Sequence, residues 1–369
     1  MRMSRILVDV THPAHVHLFR HAIEELARRG HAVAVTSREK DCTTELLDAY
    51  GIDHAVLSHC GDRPVELVSE WLARDVRTVR FARSFEPDVV LNRLSPTAVH
   101  AAAMVGAGCV VFHDHEETNR LAHALAPFVD RLCTPETFET DFGSSHRRHP
   151  GVQELAYLHP RRFSPDPDRL RDHGVDPDEP YSVLRFVSMG AHHDVGRRGL
   201  SAGAKRRLVS ELSTHGPVYV SAEGPIPRGL EATPVPVPKS EIHHLLSAAR
   251  LMVTDSNTMA TEAALLGTPV VRSGSYADSD AFSNFRALER AGLVESIPDE
   301  ARTISRAISL IEDDRAPARW ERRRAAYLDG AIDLTEYIVG TVLEVAGDRS
   351  VGWLPFGRGK GAITMRRDG

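Results

Sequence analysis

The sequence predicts an α/β protein in which two Rossmann-like parallel-sheet domains face each other across a cleft. Three observations carry that reading. Short apolar, β-branched runs alternate with helical patterns through both halves of the chain. A Pro-, Arg- and Asp-rich stretch between about 143 and 180 separates the alternation into two sets. The length of 369 residues favours two domains over one.

In the first half, strands are expected at 5–10, 31–37, 53–58, 88–92 and 108–113, with helices at 15–29, 42–50, 64–85, 96–106 and 118–129. The run Ile6-Leu-Val-Asp-Val10 follows the amino terminus directly, without an apolar signal core. The turn after it, Asp9-Val-Thr-His-Pro-Ala-His15, lacks G-x-G-x-x-G, which argues against a dinucleotide there and ranks NAD chemistry low. Prolines 160, 165, 167, 177 and 180 then favour an extended connector. A first domain is therefore set at 1–160 and a second at 175–346.

In the second domain, strands are expected at 181–188, 217–221, 251–254 and 269–272. Helices are expected at 201–214, 239–249, 258–266, 280–291, 301–313 and 317–346, the last crossing back to the first domain. Residues 348–369, with five glycines and little periodicity, read as a disordered tail.

A hydrophobic share of 42% and a charged share of 26% are ordinary for a soluble protein. The net charge of −6 gives no overall case for nucleic acid. Cys42, Cys60, Cys109 and Cys133 show no C-x-x-C spacing, so neither a zinc ribbon nor a disulfide scaffold is suggested and a cytoplasmic location is expected. Arg319, Arg322, Arg323 and Arg324 cluster on one helical stretch, which leaves peripheral contact with the inner face of a membrane open. A homodimer is also left open.

The most informative stretch is Asp255-Ser-Asn-Thr-Met-Ala-Thr-Glu-Ala-Ala-Leu-Leu-Gly-Thr-Pro-Val-Val271. A buried strand runs through a polar turn into a helix opening on Ser256, Asn257 and Thr258 and closing at Gly267-Thr-Pro269. Unpaired amides and the positive dipole end at such an opening attract a diphosphate, and Glu262, one turn in, is placed to accept from a ribose. The bland alternative is a plain helix cap. The segment resembles the signature D-S-G-G-x-x-x-E-A, followed by L-G-x-P-V, of UDP-N-acetylglucosamine 2-epimerases. Asn257 and Thr258 stand where that family has two glycines. The epimerases' G-T-R-P-E and T-E-R-P-E signatures are replaced by Thr36-Ser-Arg-Glu-Lys40 and Gly274-Ser-Tyr-Ala-Asp278.

Three further clusters fall at expected strand ends. After the first strand come His12 and His15, the latter expected near the helix start, as proton acceptors of near-neutral pKa; His17 and His21 read as packing or surface residues. After the fifth strand comes His113-Asp114-His115-Glu116-Glu117, where Asp114 and Glu116 would point the same way along an extended segment. After the first strand of the second domain come Ser188, His193 and Asp194, candidates for contacts with phosphate and sugar. Twenty histidines make a metal-dependent hydrolase worth weighing, yet His15 and His17 diverge around a helix axis and cannot share one ion.

Taken in order, His12-x-x-His15, Phe112-x-Asp114-x-Glu116, Glu154-Leu-Ala-Tyr-Leu-His-Pro160 with Phe163, Phe186-Val-Ser-x-x-Ala-x-His-Asp194 and Asp255-Ser-x-Thr-Met-x-x-Glu262 resemble the archaeal and bacterial domain-of-unknown-function family 354, over residues 4 to 346. The resemblance implies a GT-B-like fold and work on nucleotide sugars. The expected function is transfer of a sugar from a UDP-linked donor to an acceptor (a glycan, a lipid-linked molecule or a small molecule), with no cofactor and no metal. His15, His12, Asp114 and Glu116 would be catalytic, and Ser188, His193, Asp194, Ser256, Asn257, Thr258 and Glu262 substrate-binding. A non-hydrolysing 2-epimerase and a non-catalytic sugar-nucleotide sensor are the alternatives.

Overall fold

A computed structural model describes residues 3–61, 63–187, 199–222, 230, 233–274 and 282–349. The first lobe is built on seven strands: β1 (Arg5–Val10), β2 (Ala32–Glu39), β3 (Ala55–His59), β4 (Val89–Asn92), β5 (Gly108–Phe112), β6 (Arg131–Pro135) and β7 (His146–His149). They pair in parallel in the order β3-β2-β1-β4-β5-β6-β7. Helices α1 (Pro13–Arg28), α2 (Thr43–Ala49), α3 (Pro64–Phe85), α4 (Pro96–Val105) and α5 (Asn119–Leu125) connect them.

Short helices α6 (Leu155–Leu158) and α7 (Pro167–Asp172) lie in the connector. The second lobe has β8 (Ser182–Phe186), β9 (Val218–Ala222), β10 (Thr233–Pro234), β11 (Leu251–Thr254), β12 (Val270–Ser273) and β13 (Glu295–Ile297). Its order is β10-β9-β8-β11-β12-β13, again parallel. Its helices are α8 (Ala202–Leu212), α9 (Ile242–Ala248), α10 (Asn257–Leu266), α11 (Ser283–Arg290), α12 (Glu300–Glu312) and α13 (Ala316–Leu328). Helix α14 (Leu334–Arg349) packs back on α1, β4 and β5 of the first lobe, burying Leu334, Ile338, Val339 and Val342 completely.

Both sheets reverse strand order once, at β1/β4 and at β8/β11. Ligands of open parallel sheets collect in the crevice beyond the carboxyl ends of strands at such a point, so topology marks one candidate site in each lobe. Beneath the first of them lies a buried ion pair. Asp9, fully buried at the end of β1, accepts from Arg74 Nη2 of α3 at 2.5 Å, from Thr36 Oγ1 at 2.8 Å and from Ser95 Oγ at 2.7 Å. Arg74 also donates to the Ser37 carbonyl at 2.9 Å.

The architecture departs from the sequence reading in several elements. Strand β7, His146-Arg-Arg-His, falls inside the stretch read as connector because it has no aliphatic residue. His146 and His149 nevertheless fill the buried positions that apolar side chains usually mark. Strand β6 carries an arginine and a proline at its ends, and β10 and β13 are only two and three residues long. The single helix expected at 317–346 is two helices, because the chain turns through Gly330, whose φ of +80° suits glycine, before re-entering the first lobe. Residues 348 and 349 complete α14 instead of belonging to a tail.

Candidate functional site

The site is built up from the carboxyl ends of β1, β4, β5 and β11. At β1 the helix begins two residues earlier than expected. His12 is its cap, extended at φ −155° and ψ 151°, with Nδ1 accepting from the Ala14 amide at 3.2 Å, and Pro13 takes the first helical position. His15 therefore lies one turn in, its ring 5.8 Å from that of His12.

Nδ1 of His15 sits 3.3 Å from both the amide and the hydroxyl of Thr11. An amide can only donate, so this contact assigns the ring proton to Nε2. Burial, then the charge of Arg93, holds the imidazole well below its ordinary pKa. His15 is thus a neutral ring whose outer nitrogen donates, which suits it to bind an oxygen; the role of proton acceptor expected for it does not fit this arrangement.

At β4, Leu94 takes a left-handed backbone, φ +48°, between Arg93 and the α4 cap Ser95. Such a conformation costs a branched side chain about 1–3 kcal/mol and is held where neighbours over-determine it. Here Ser95 is tied to Asp9 and to Asn92 Oδ1, at 2.9 Å from its amide. Arg93 turns to Asp114, beyond β5, in a short ion pair. Burial works against the Asp114 carboxylate, but the guanidinium prevails and holds its pKa below the ordinary value.

Asp114 and Glu116 do not face a common ligand along an extended segment, since a 3₁₀ turn, Glu116–Thr118, begins at the second of them. Glu116 reaches across to the other lobe, accepting at Oε1 from the Ser283 amide at 2.9 Å and its hydroxyl at 2.5 Å, while Oε2 is buried without a partner among the described residues. Burial pushes its pKa up.

Glu154, at the start of α6, is pushed up to about 8 by burial and then by the nearby charge of Asp114. A carboxyl raised in the folded state favours folding while protonated, fully below its unfolded pKa near 4.5, and that advantage is lost as pH climbs through about 8. Glu154→Gln is therefore expected to match the parent in urea unfolding at pH 4 and to exceed it by at least about 2 kcal/mol at pH 8.5; equal stability at both pH values would contradict the assignment.

In the second lobe Ser256 caps α10, its hydroxyl accepting from the Met259 amide at 3.4 Å and its own amide donating to Thr254 Oγ1 at 2.8 Å. The amides of Asn257 and Thr258 precede the first internal bond of the helix, Ala260 to the Ser256 carbonyl at 3.1 Å. Asn257 Oδ1 accepts from Arg272 at 3.1 Å. That guanidinium is almost wholly buried at the end of β12, 3.8 Å above the Phe285 ring, and burial lowers its pKa to about 10. Asp255 Oδ1 accepts from the Val187 amide at 2.7 Å, and Oδ2 is buried without a hydrogen-bond partner among the described residues. Ser188, His193 and Asp194 lie outside the described residues.

Glu262 does not face open solvent. Only 3% exposed, it accepts from Tyr157 Oη at 2.8 Å and lies 3.1 Å from His243 Nε2. Both contacts fall on Oε1, so this oxygen of the carboxylate expected to meet a ribose is already engaged between the lobes. His17, read as packing, is indeed packed, but between the lobes. Its ring lies 5.2 Å from Tyr157 and 4.9 Å from His243.

The residues that sequence reasoning passed over are thus Arg93, Glu154, Tyr157, His243, Arg272 and Ser283. Glu154 and Tyr157 stood inside a quoted motif without an assigned role. Arg93 follows β4 directly, and its strand-end position was the available signal. Among the described residues, no group of three or more His, Cys, Asp or Glu is placed to hold a metal ion, and no helix is long and apolar enough to cross a membrane.

Two parallel-sheet lobes meeting at their switch points, with a helix of the last lobe returning to the first, define the GT-B fold. Three solved structures share it. S. aureus MnaA in a co-structure with UDP superposes with a TM-score of 0.67 at 12% identity, covering 94% of this chain and 97% of that one. UDP-GlcNAc 2-epimerase from Neisseria meningitidis bound to UDP-GlcNAc gives 0.59 at 14%, covering 92% and 99%. Acinetobacter baumannii MurG gives 0.55 at 14%, also covering 92% and 99%. At such identities the likeness is one of fold. No curated protein matches by sequence. Residues 4–187 match the family model described as "Protein of unknown function (DUF354)", so the amino-terminal half of the chain is a DUF354 domain.

Proposed function

We propose that the protein is a glycosyltransferase that moves a sugar from a UDP-linked donor to an acceptor held by the first lobe, without a metal. The observation that carries this reading is the open end of α10 at the second lobe's switch point, backed by Arg272. In the first lobe His12, His15, Arg93 and Asp114 gather at the equivalent place. The MnaA co-structure holds UDP and the Neisseria meningitidis epimerase is bound to UDP-GlcNAc, which supports a nucleotide-sugar donor.

In the proposed reaction the acceptor oxygen bonds to the anomeric carbon as the bond to the diphosphate breaks. The amides of Asn257 and Thr258 and the Thr258 hydroxyl take up the charge on the departing diphosphate. Glu116, through its unpartnered Oε2, takes the acceptor's proton, and His15 donates from Nε2 to an oxygen of the sugar or phosphate. Ser188, His193 and Asp194 are proposed to contact the donor.

A 2-epimerase is the second reading, favoured by the Asp255-to-Glu262 signature. Both enzymes bind UDP, so UDP is expected to raise the melting temperature. Incubation with UDP-N-acetylglucosamine alone then separates them: the manno isomer means epimerisation, whereas consumption of donor only with an added acceptor means transfer. Absence of any shift with uridine, guanosine, cytidine or thymidine diphosphates would sink both.

A further inference from the structure

Helix α13 presents an arginine face that the proposed reaction does not use. Arg319, Arg322, Arg323, Ala326 and Tyr327 recur at spacings of three and four and so share one side of the helix. With Ala291 they line an open groove of about 620 Å³. Three of its six lining residues are arginines and none is acidic. In a second groove, of about 450 Å³, Arg250 is the one arginine, among Asp178, Glu179 and Glu321.

Two of the three guanidiniums, those of Arg319 and Arg323, are held in place. Arg323 donates to the Gly292 carbonyl at 2.8 Å and lies 4.8 Å over the buried Trp320 ring. Gly292 allows this approach, since a Cβ there would come within 2.9 Å of Arg323 Nε. Arg319 pairs with Asp313 at 2.9 Å and flanks the same indole at 5.5 Å. Glu321, the acid of this helix, turns to Arg324 on another face, at 2.9 Å. Arg322 is exposed and makes no ion pair among the described residues.

Like charges four residues apart repel on a helix, and arginines fixed around a concavity match the fork geometry of phosphate oxygens.

We propose that the Arg319–Arg322–Arg323 groove binds a phosphate or diphosphate group carried by a molecule other than the nucleotide donor. The shared chemistry is the phosphate, which either a water-soluble phosphorylated compound or an anionic lipid headgroup supplies. This site does not depend on the reading of α10.

The full chain carrying Thr258→Glu, which blocks the α10 opening, is titrated with pyrophosphate and sedimented with phosphatidylglycerol or phosphatidylcholine vesicles. Binding of pyrophosphate or of phosphatidylglycerol vesicles is expected to survive Thr258→Glu. It is expected to weaken at least tenfold with Arg319→Gln/Arg322→Gln, and severalfold with Arg322→Gln alone, which leaves the Trp320 packing untouched. Pyrophosphate binding without vesicle preference identifies a soluble ligand, and selective sedimentation with phosphatidylglycerol identifies a headgroup; either supports the site. Arg206→Glu, an exposed arginine on α8, serves as the charge control. Equal loss with Arg206→Glu, or no loss with the arginine substitutions, overturns the proposal, as does failure of both ligands to bind.

Discussion

Replacing Arg74 by leucine is expected to lower the unfolding free energy at pH 7 by about 3–5 kcal/mol, because it strands a buried carboxylate. Asp9 has no exposed surface and Arg74 is 3% exposed, so water cannot take the place of the lost guanidinium. The remaining donors, Thr36 and Ser95, are neutral hydroxyls and cannot balance the charge. Adding Asp9→Asn to Arg74→Leu should recover at least half of it, since the pair is then replaced by neutral groups. Urea unfolding of the two variants and the parent measures both quantities. A loss under 1 kcal/mol for Arg74→Leu would show that the pair is not the support of the β1 end described above.

Thr258→Glu is expected to weaken UDP binding about a hundredfold, roughly 2.7 kcal/mol, while leaving the fold intact or slightly firmer. Thr258 is the second residue of α10, where a carboxylate meets the positive end of the helix dipole and stabilises it by about 0.3–1 kcal/mol. The same carboxylate would occupy the place proposed for a phosphate and repel it. Calorimetry with UDP and a thermal melt on the same sample separate the two effects. Affinity within twofold of the parent, with the melt unchanged, would remove the α10 opening from the proposed site.

Much of this arrangement was legible in the sequence, for physical reasons that differ from element to element. Central parallel strands are apolar on both faces, so Ile6–Val10 and Leu251–Thr254 announce themselves, and strand ends of such sheets are where ligands gather. The residues placed at those ends, His12, His15, Asp114 and Ser256 to Thr258, lie at the two switch points. Outlying strands were not legible. His146-Arg-Arg-His satisfies a sheet position with two buried imidazoles, which no hydrophobic pattern reports.

What each side chain does was harder still, because partners distant in sequence decide it. Glu262 reads as a cleft carboxylate until Tyr157, 105 residues away, is seen to donate to it. The same holds for Glu116, whose partner Ser283 lies 167 residues on.

Helix α14 makes the polypeptide pass between the lobes twice, once through residues 150–181 and again through 329–333. A single tether would leave two bodies free to swivel in any direction, whereas a pair of tethers admits mainly a folding motion about the line that joins them. The second tether is fastened by Arg162 to Asp333 at 2.8 Å and by Thr335 Oγ1 to the Ala156 carbonyl at 2.7 Å, which brings the two passages side by side. The molecule is thus hung like the cover of a book on its spine. Any ligand entering from the far edge meets surfaces that can part and shut but cannot slide out of register.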